Sequence, residues 1–334
     1  MSSIIKYKLL FISLISIFIT NHSIAGNWTE SSYWSVWGKR DYKVYLPHNY
    51  KPNFKGHKLP VITAIHGCMQ DSKSFAGGTR LNEWADKLGF AVYYPEQSSL
   101  FNTYNCWNWF FPVNQTRSMG EAQLIMGGLE KVIKQFNFDP AKSYLIGMSA
   151  GGAMASILAA CYPKNFNALA THHGLMYKAA TDSIRAKDIV YNGSKLAPAT
   201  SAAKAHLCSL KAKKPELLPS IIIHGIPGEV MDSIHALQIE KEMMIFNDYL
   251  DNRKADNSLE NIKTETYITN QDQYNYEQTE WSHQGKVYLK KILIEDLGHA
   301  WSGGDKIYKY NDPKGPDATK LILNFFKNYD LNHK

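Results

Sequence analysis

Hydrophobic and polar positions alternate in two distinct periods along this chain. Between 40 and 47, Tyr42, Val44 and Leu46 alternate with polar neighbours, the two-residue period of a half-buried strand. The runs 59–66 and 90–94 are short, continuous and apolar, as strands buried on both faces of a parallel sheet are. Segment 81–88 between them reads as a helix. In 121–136, Leu124, Ile125, Leu129, Val132, Ile133 and Phe136 recur at helical spacing. Strands follow at 143–147, 168–172, 220–224 and 287–294, with helices at 150–160, 233–250 and 317–329. Stretches 176–217 and 254–286 are less regular and read as loops or partial lids. Strands alternating with helices predict an α/β fold, a mostly parallel sheet with helices on both faces. No repeat or linker divides residues 26–334, so one catalytic domain is expected there. In such sheets function gathers at the carboxyl ends of the strands.

The first 25 residues do not belong to that pattern. Lys6 and Lys8 precede an uncharged apolar run, and Ser23-Ile24-Ala25 supplies small residues before Gly26. This is the arrangement of a cleavable signal peptide covering 1–25. The run is short for a bilayer span, so no stable membrane insertion is expected after cleavage. The protein is then secreted or periplasmic. An even count of four cysteines suits an oxidising compartment and allows three pairings, of which pairing within each half, Cys68–Cys106 and Cys161–Cys208, is the expectation. No cysteine lies in a zinc-type spacing, and no metal or cofactor is expected. The formal net charge of +7 is scattered rather than gathered into a stripe, which argues against a nucleic-acid partner. Protein partners are not legible.

Candidate chemistry starts at Gly147-Met148-Ser149-Ala150-Gly151. A G-x-S-x-G pentapeptide alone is a weak signal. Here it joins an apolar strand to a helix of small residues, the context a nucleophile elbow requires. Ser149 then needs a base, and among twelve histidines His299 stands out. It follows the last strand inside Gly298-His299-Ala300-Trp301, and the order Ser before His is the one this architecture uses. The backbone amides of Ala150 and Cys68 are the expected oxyanion donors. Trp107 and Trp301 are candidate substrate-binding walls. Trp109 divides evenly between wall and core, because alternate residues of an extended segment face opposite ways.

Several stretches together resemble the polyhydroxybutyrate depolymerase family of esterases, related to feruloyl and acetylxylan esterases. They are His66-Gly67-Cys68-Met69-Gln70-Asp71, 75–80, 94–97, Cys106-Trp107-Asn108-Trp109-Phe110, 147–154, 298–304 and Gly315-Pro316-Asp317-Ala318. The resemblance runs from about Arg40 to Phe326. It implies an α/β-hydrolase fold, a Ser-Asp-His triad, and ester substrates handled without metal or cofactor. One departure stands out. The family acid falls four residues past the strand-ending histidine, and from His224 that position is Gly228. Glu229 and Asp232 are the nearby alternatives for the triad acid. The expected activity is hydrolysis of short-chain hydroxyacid esters, polyhydroxybutyrate or its oligomers, through an acyl-enzyme. The alternatives are an acetyl or feruloyl esterase on polysaccharides, and a hydrolase-fold binding protein that has lost turnover.

Overall fold

The computed structural model describes residues 25–51, 58–210, 217–226, 228 and 230–331. The expected leader at 1–25 lies outside the described residues except for Ala25. The strands of the main sheet are β1 (Asn27–Ser35), β2 (Gly38–Leu46), β3 (Val61–Ile65), β4 (Ala91–Pro95), β5 (Ser143–Met148), β6 (Ala168–His172), β7 (Ser220–Ile226), β8 (Ile262–Ile268), β9 (Tyr276–His283) and β10 (Lys286–Glu295). Among the described residues they form one ten-stranded sheet in the order β1-β2-β4-β3-β5-β6-β7-β10-β9-β8. The six strands from β4 to β10 run parallel. An antiparallel pair flanks each side, β1-β2 and β9-β8.

Helices α1 (Ser72–Thr79), α2 (Leu81–Leu88), α3 (Gly120–Phe136), α4 (Ala150–Cys161), α5 (Ser183–Asn192), α6 (Pro198–Ser209), α7 (Ile234–Asn252) and α8 (Ala318–Lys327) cover both faces. Side chains of one strand point alternately to the two faces. Val61 and Ile65 therefore join a core with α3, α4, α6 and α7. Ile62 and Ala64 join a second core with Phe75, Leu81, Ile322 and Phe326. Burial on both faces explains why the central strands read as unbroken apolar runs. This is the α/β-hydrolase arrangement.

The irregular stretches hold more structure than expected. Segment 176–217 contains α5 and α6, and 254–286 contains β8 and β9. Six of the seven residues of β8 are exposed, so the strand has no core face for a hydrophobic pattern to mark. In α1 the sequence SKSFAGGT is poor in strong helix formers. Its start is fixed instead by a capping box, in which Asp71 accepts from the Ser74 amide and Ser74 from the Asp71 amide.

Candidate active site

The end of β5 passes straight into α4, and Ser149 stands at the junction with φ 55° and ψ −122°. That backbone is costly for a residue with a Cβ, and small neighbours permit it. A Cβ on Gly147 would lie 2.2 Å from Gly151 O, and one on Gly151 would lie 2.2 Å from Ile65 O. The turn projects the Ser149 side chain into a cavity of about 430 Å³. Its walls are largely apolar, with Met69, Trp109, Leu175, Val190, Val230 and Met231 around Ser149 and His299.

Two amides stand beside the serine. Ala150 opens α4, so its N–H belongs to the helix's unpaired first turn. Across the cavity, the loop after β3 is held tightly. Gln70 Oε1 accepts from the Gly67 amide at 2.9 Å, and Tyr104 O accepts from the Met69 amide at 2.7 Å. The Cys68 amide lies between these two anchored amides in the cavity wall. Gly67 lies so close that a Cβ there would be 3.3 Å from Ser149 Cβ. His66 is buried and donates from Nδ1 to Gly67 O at 2.8 Å, while its Nε2 accepts from the Gln97 amide at 3.1 Å. Disulfide Cys68–Cys106 ties this loop to the next, and Cys161–Cys208 ties α4 to α6. Both pairings are those expected from the sequence.

His299 follows β10 and places Nε2 3.0 Å from Ser149 Oγ. A neutral ring that accepts the serine proton at Nε2 carries its own proton on Nδ1. That Nδ1 is buried and has no hydrogen-bond partner among the described residues. Leaving such a donor unpaired costs about 1–3 kcal/mol. Burial holds the imidazole down to a pKa of about 4. Of the candidate acids, Asp232 uses Oδ1 to accept from the Ile234 amide at 2.7 Å at the start of α7, and among the described residues no hydrogen bond joins it to His299 Nδ1. Gly228 has no room for a side chain, since a Cβ would lie 2.5 Å from Asp232 Cα. Glu229 lies outside the described residues.

Behind His299 lies a cluster of imidazoles from β6, β7 and the residue after β6. His173 packs 4.8 Å from His299 and 4.4 Å from His224, between ring centres. His172 and His173 face each other, Nδ1 to Nδ1, at 2.9 Å. Each also meets a backbone amide with Nε2: His172 with Ser302, His173 with Gly225, both at 3.1 Å. Two neutral rings share two protons, and both Nε2 atoms must be bare to accept. Both Nδ1 atoms would then carry hydrogen, so the pair satisfies at most two of its three contacts at once. Burial keeps both rings well below the usual histidine pKa and His224 down to about 3.

The tryptophan expectations need correcting. Trp107 and Trp301 are 0% and 2% exposed and do not reach the cavity. Trp107 donates to His66 O at 3.1 Å, and Trp301 donates to Thr319 Oγ1 while stacking on His172. Both indoles are drawn inward because their N–H groups find buried acceptors. Trp109, two residues on from Trp107, is the tryptophan that lines the cavity. Tyr310 and Val190 also line it, and no sequence signal marked them.

Comparison with known proteins gives the same picture. The chain is 30% identical over 202 residues to poly(3-hydroxyalkanoate) depolymerase C of Paucimonas lemoignei, covering 59% of this chain and 46% of that one. It is 33% identical over 142 residues to feruloyl esterase B of Neurospora crassa, covering 42% and 47%. It thus spans about half the length of these curated relatives. In three dimensions it superposes on the acetyl xylan esterase from Aspergillus awamori with a TM-score of 0.68 at 17% identity, covering 90% of this chain and 99% of that one, which establishes the shared fold. Residues 40–265 match the family model for the PHB depolymerase esterases, and the chain belongs to that family.

Proposed function

We propose that this chain is a serine esterase that cleaves short-chain hydroxyacid esters, such as polyhydroxybutyrate or its oligomers, through an acyl-enzyme. The observation that carries this reading is Ser149 Oγ 3.0 Å from His299 Nε2, at a strained elbow opening into an apolar cavity. Ser149 Oγ attacks the ester carbonyl carbon and His299 Nε2 takes its proton. The carbonyl oxygen becomes an oxyanion facing the amides of Cys68 and Ala150. The tetrahedral intermediate collapses, and the alcohol leaves with the proton from His299. Water, deprotonated by the same nitrogen, then attacks the acyl-serine and releases the acid. A cavity of about 430 Å³ suits a small ester or one end of an oligoester. Trp109 in its wall favours a second reading, an aryl acyl group of the feruloyl kind. The two disulfides support function in an oxidising compartment, periplasmic or extracellular. A single domain over 26–334 is part of the same proposal.

The test is labelling by a fluorophosphonate together with hydrolysis of p-nitrophenyl butyrate, 3-hydroxybutyrate oligomers and methyl ferulate. Wild-type protein should label and turn over, and Ser149→Ala should lose both, by several orders of magnitude in rate. Wild-type protein inert to every ester and to the phosphonate would instead favour a binding role. The ester preferred by kcat/KM decides between hydroxyacid and aryl substrates.

A further inference from the structure

We infer that Met69 is an oxidation site: a hydroperoxide converts its thioether to the sulfoxide and so hinders entry of long esters to the catalytic cavity. The effect on hydrolysis rests on the serine-esterase reading above; the modification itself does not. Sulfur atoms in this chain differ sharply in access. All four cysteines are locked in the two disulfides, so no thiol is free to react. Of the methionines among the described residues, Met126, Met148, Met154, Met176, Met231 and Met243 are buried, and Met119 and Met244 are half-buried. Met69 is 58% exposed, and it lies in the wall of the cavity that holds Ser149 and His299. Sulfur oxidation follows access, so the thioether that a peroxide reaches first is the one at the active site.

Backbone geometry keeps that sulfur at the rim. Met69 has φ 58°, in the left-handed region, and its amide donates to Tyr104 O at 2.7 Å. The residue before it, Cys68, is tied to Cys106 by a disulfide. The residue after it, Gln70, is buried and accepts from the Gly67 amide at 2.9 Å. A loop anchored on both sides of Met69 resists carrying the side chain away when its sulfur changes. Beside it stands Tyr310, from the segment between β10 and α8, whose hydroxyl donates to Met69 Sδ at 3.4 Å. A thioether is a weak acceptor. In oxidation its sulfur lone pair attacks one peroxide oxygen, and the S–O bond forms as the O–O bond breaks. The departing hydroxide takes the proton from the transferred oxygen and leaves as water. Sulfur loses two electrons and the peroxide gains them. The sulfoxide oxygen is a strong acceptor beside the Tyr310 hydroxyl, so the two loops are held together more firmly at the cavity rim. A polar oxygen also enters an apolar wall where the carbon chain of an ester would pass. Ser149 and His299 are chemically unchanged.

The experiment treats the folded, disulfide-intact protein with hydrogen peroxide. Peptide mass spectrometry follows oxygen uptake at each methionine, alongside hydrolysis of p-nitrophenyl acetate and of 3-hydroxybutyrate oligomers. Met69 should oxidise before the other described methionines. KM for the oligomers should rise roughly tenfold in step with Met69 sulfoxide, with kcat little changed and the acetate ester affected least. Methionine sulfoxide reductases should restore the original KM. Met69→Leu, compared with its own untreated rate, should keep its kinetics through the same treatment. Tyr310→Phe should still oxidise at Met69 yet show a smaller rise in KM, because the hydroxyl that meets the sulfoxide is gone. Another described methionine oxidising first, or an unchanged oligomer KM with Met69 fully oxidised, overturns the inference. So does a Met69→Leu variant that loses as much as wild type. Should Met69→Leu not fold, reversal by the reductases decides in the wild-type protein, since peroxide damage outside methionine would persist. Protein that neither hydrolyses esters nor labels with a fluorophosphonate before any peroxide marks the failure of the esterase reading, and the order of methionine oxidation still decides the site.

Discussion

Acidification should destabilise this protein, and the buried histidines set the size of the effect. His224 and His299 have folded pKa values of about 3 and about 4, against roughly 6.5 in an unfolded chain. A depressed histidine binds its proton in the unfolded state first. Its contribution is therefore complete above about pH 6.5 and is lost as pH falls toward the folded value. From pH 7 to 5 each of the two loses about 2 kcal/mol. His66, His172, His173 and His235 are also lowered by burial and act in the same direction. Glu242 acts against them. It is buried, accepts from the Tyr177 amide and Ser201, and is pushed up to about 8. Its neutral form is the native one, so lowering the pH from 7 to 5 removes about 2.5 kcal/mol of strain. The histidines outnumber it, and net stability should fall by several kcal/mol out of a typical total of roughly 5–15. Urea unfolding at pH 7, 6 and 5 measures this directly. His224→Gln should flatten the slope by about 1.4 kcal/mol per pH unit below pH 6, and Glu242→Gln should steepen it. A flat profile in the wild type, or an unchanged slope in His224→Gln, would refute the reasoning.

Four further outcomes follow from the same geometry. Gly67→Ala forces a methyl to within 3.3 Å of Ser149 Cβ and 3.1 Å of Gln70 Oε1, so kcat should fall roughly 10²-fold with little change in Tm; unaltered kcat would remove this loop from the oxyanion site. Reducing the disulfides, which close loops spanning 38 and 47 residues, should cost about 4 kcal/mol each on the chain-entropy account, measured by urea unfolding with and without reductant. Trp109→Ala should raise KM for aryl esters about tenfold and for acetyl esters much less; equal changes would take the indole out of the wall. The base works only when neutral, so kcat/KM should rise with pH through about 4, the value burial imposes on His299. A midpoint near 6 to 7 would instead report a carboxylate on Nδ1.

What could be read from the sequence tracks how each element is stabilised. Central strands such as 143–147 and 168–172 declared themselves because burial on both faces demands unbroken apolar runs, and they appear as Ser143–Met148 and Ala168–His172. Helix α2 was read at its observed bounds because Leu81 and Ala85 recur at helical spacing. The edge strand β8 faces solvent, and α1 depends on its cap, so neither carried a hydrophobic period. The Ser149 turn was legible because an elbow needs glycine at fixed offsets, visible in one pentapeptide, and the structure sets His299 Nε2 3.0 Å from Ser149 Oγ. The imidazole cluster was not. His173 and Gly225, the residue after His224, are 52 positions apart in the sequence, and the neighbouring parallel strands β6 and β7 bring them together. Trp107 and Trp109 could not be separated by type; Trp107 turns inward to donate to the His66 carbonyl, and Trp109 lines the cavity.

The parallel sheet explains why these pieces meet at all. Each carboxyl end in turn delivers one part: His66 and Gly67 from β3, Ser149 from β5, His173 from β6, His224 from β7 and His299 from β10. Pooling so many imidazoles in one dry cluster has an electrostatic consequence. Among the described residues no carboxylate reaches His299, whose proton affinity is lowered by desolvation, and desolvation favours the neutral ring. A base held neutral is available at any pH above its pKa, yet a weaker base accepts the serine proton less readily in the transition state. Availability has been gained at the expense of basicity. The cluster therefore sets both properties together: the pH range over which His299 can act, and how strongly it draws the proton from Ser149.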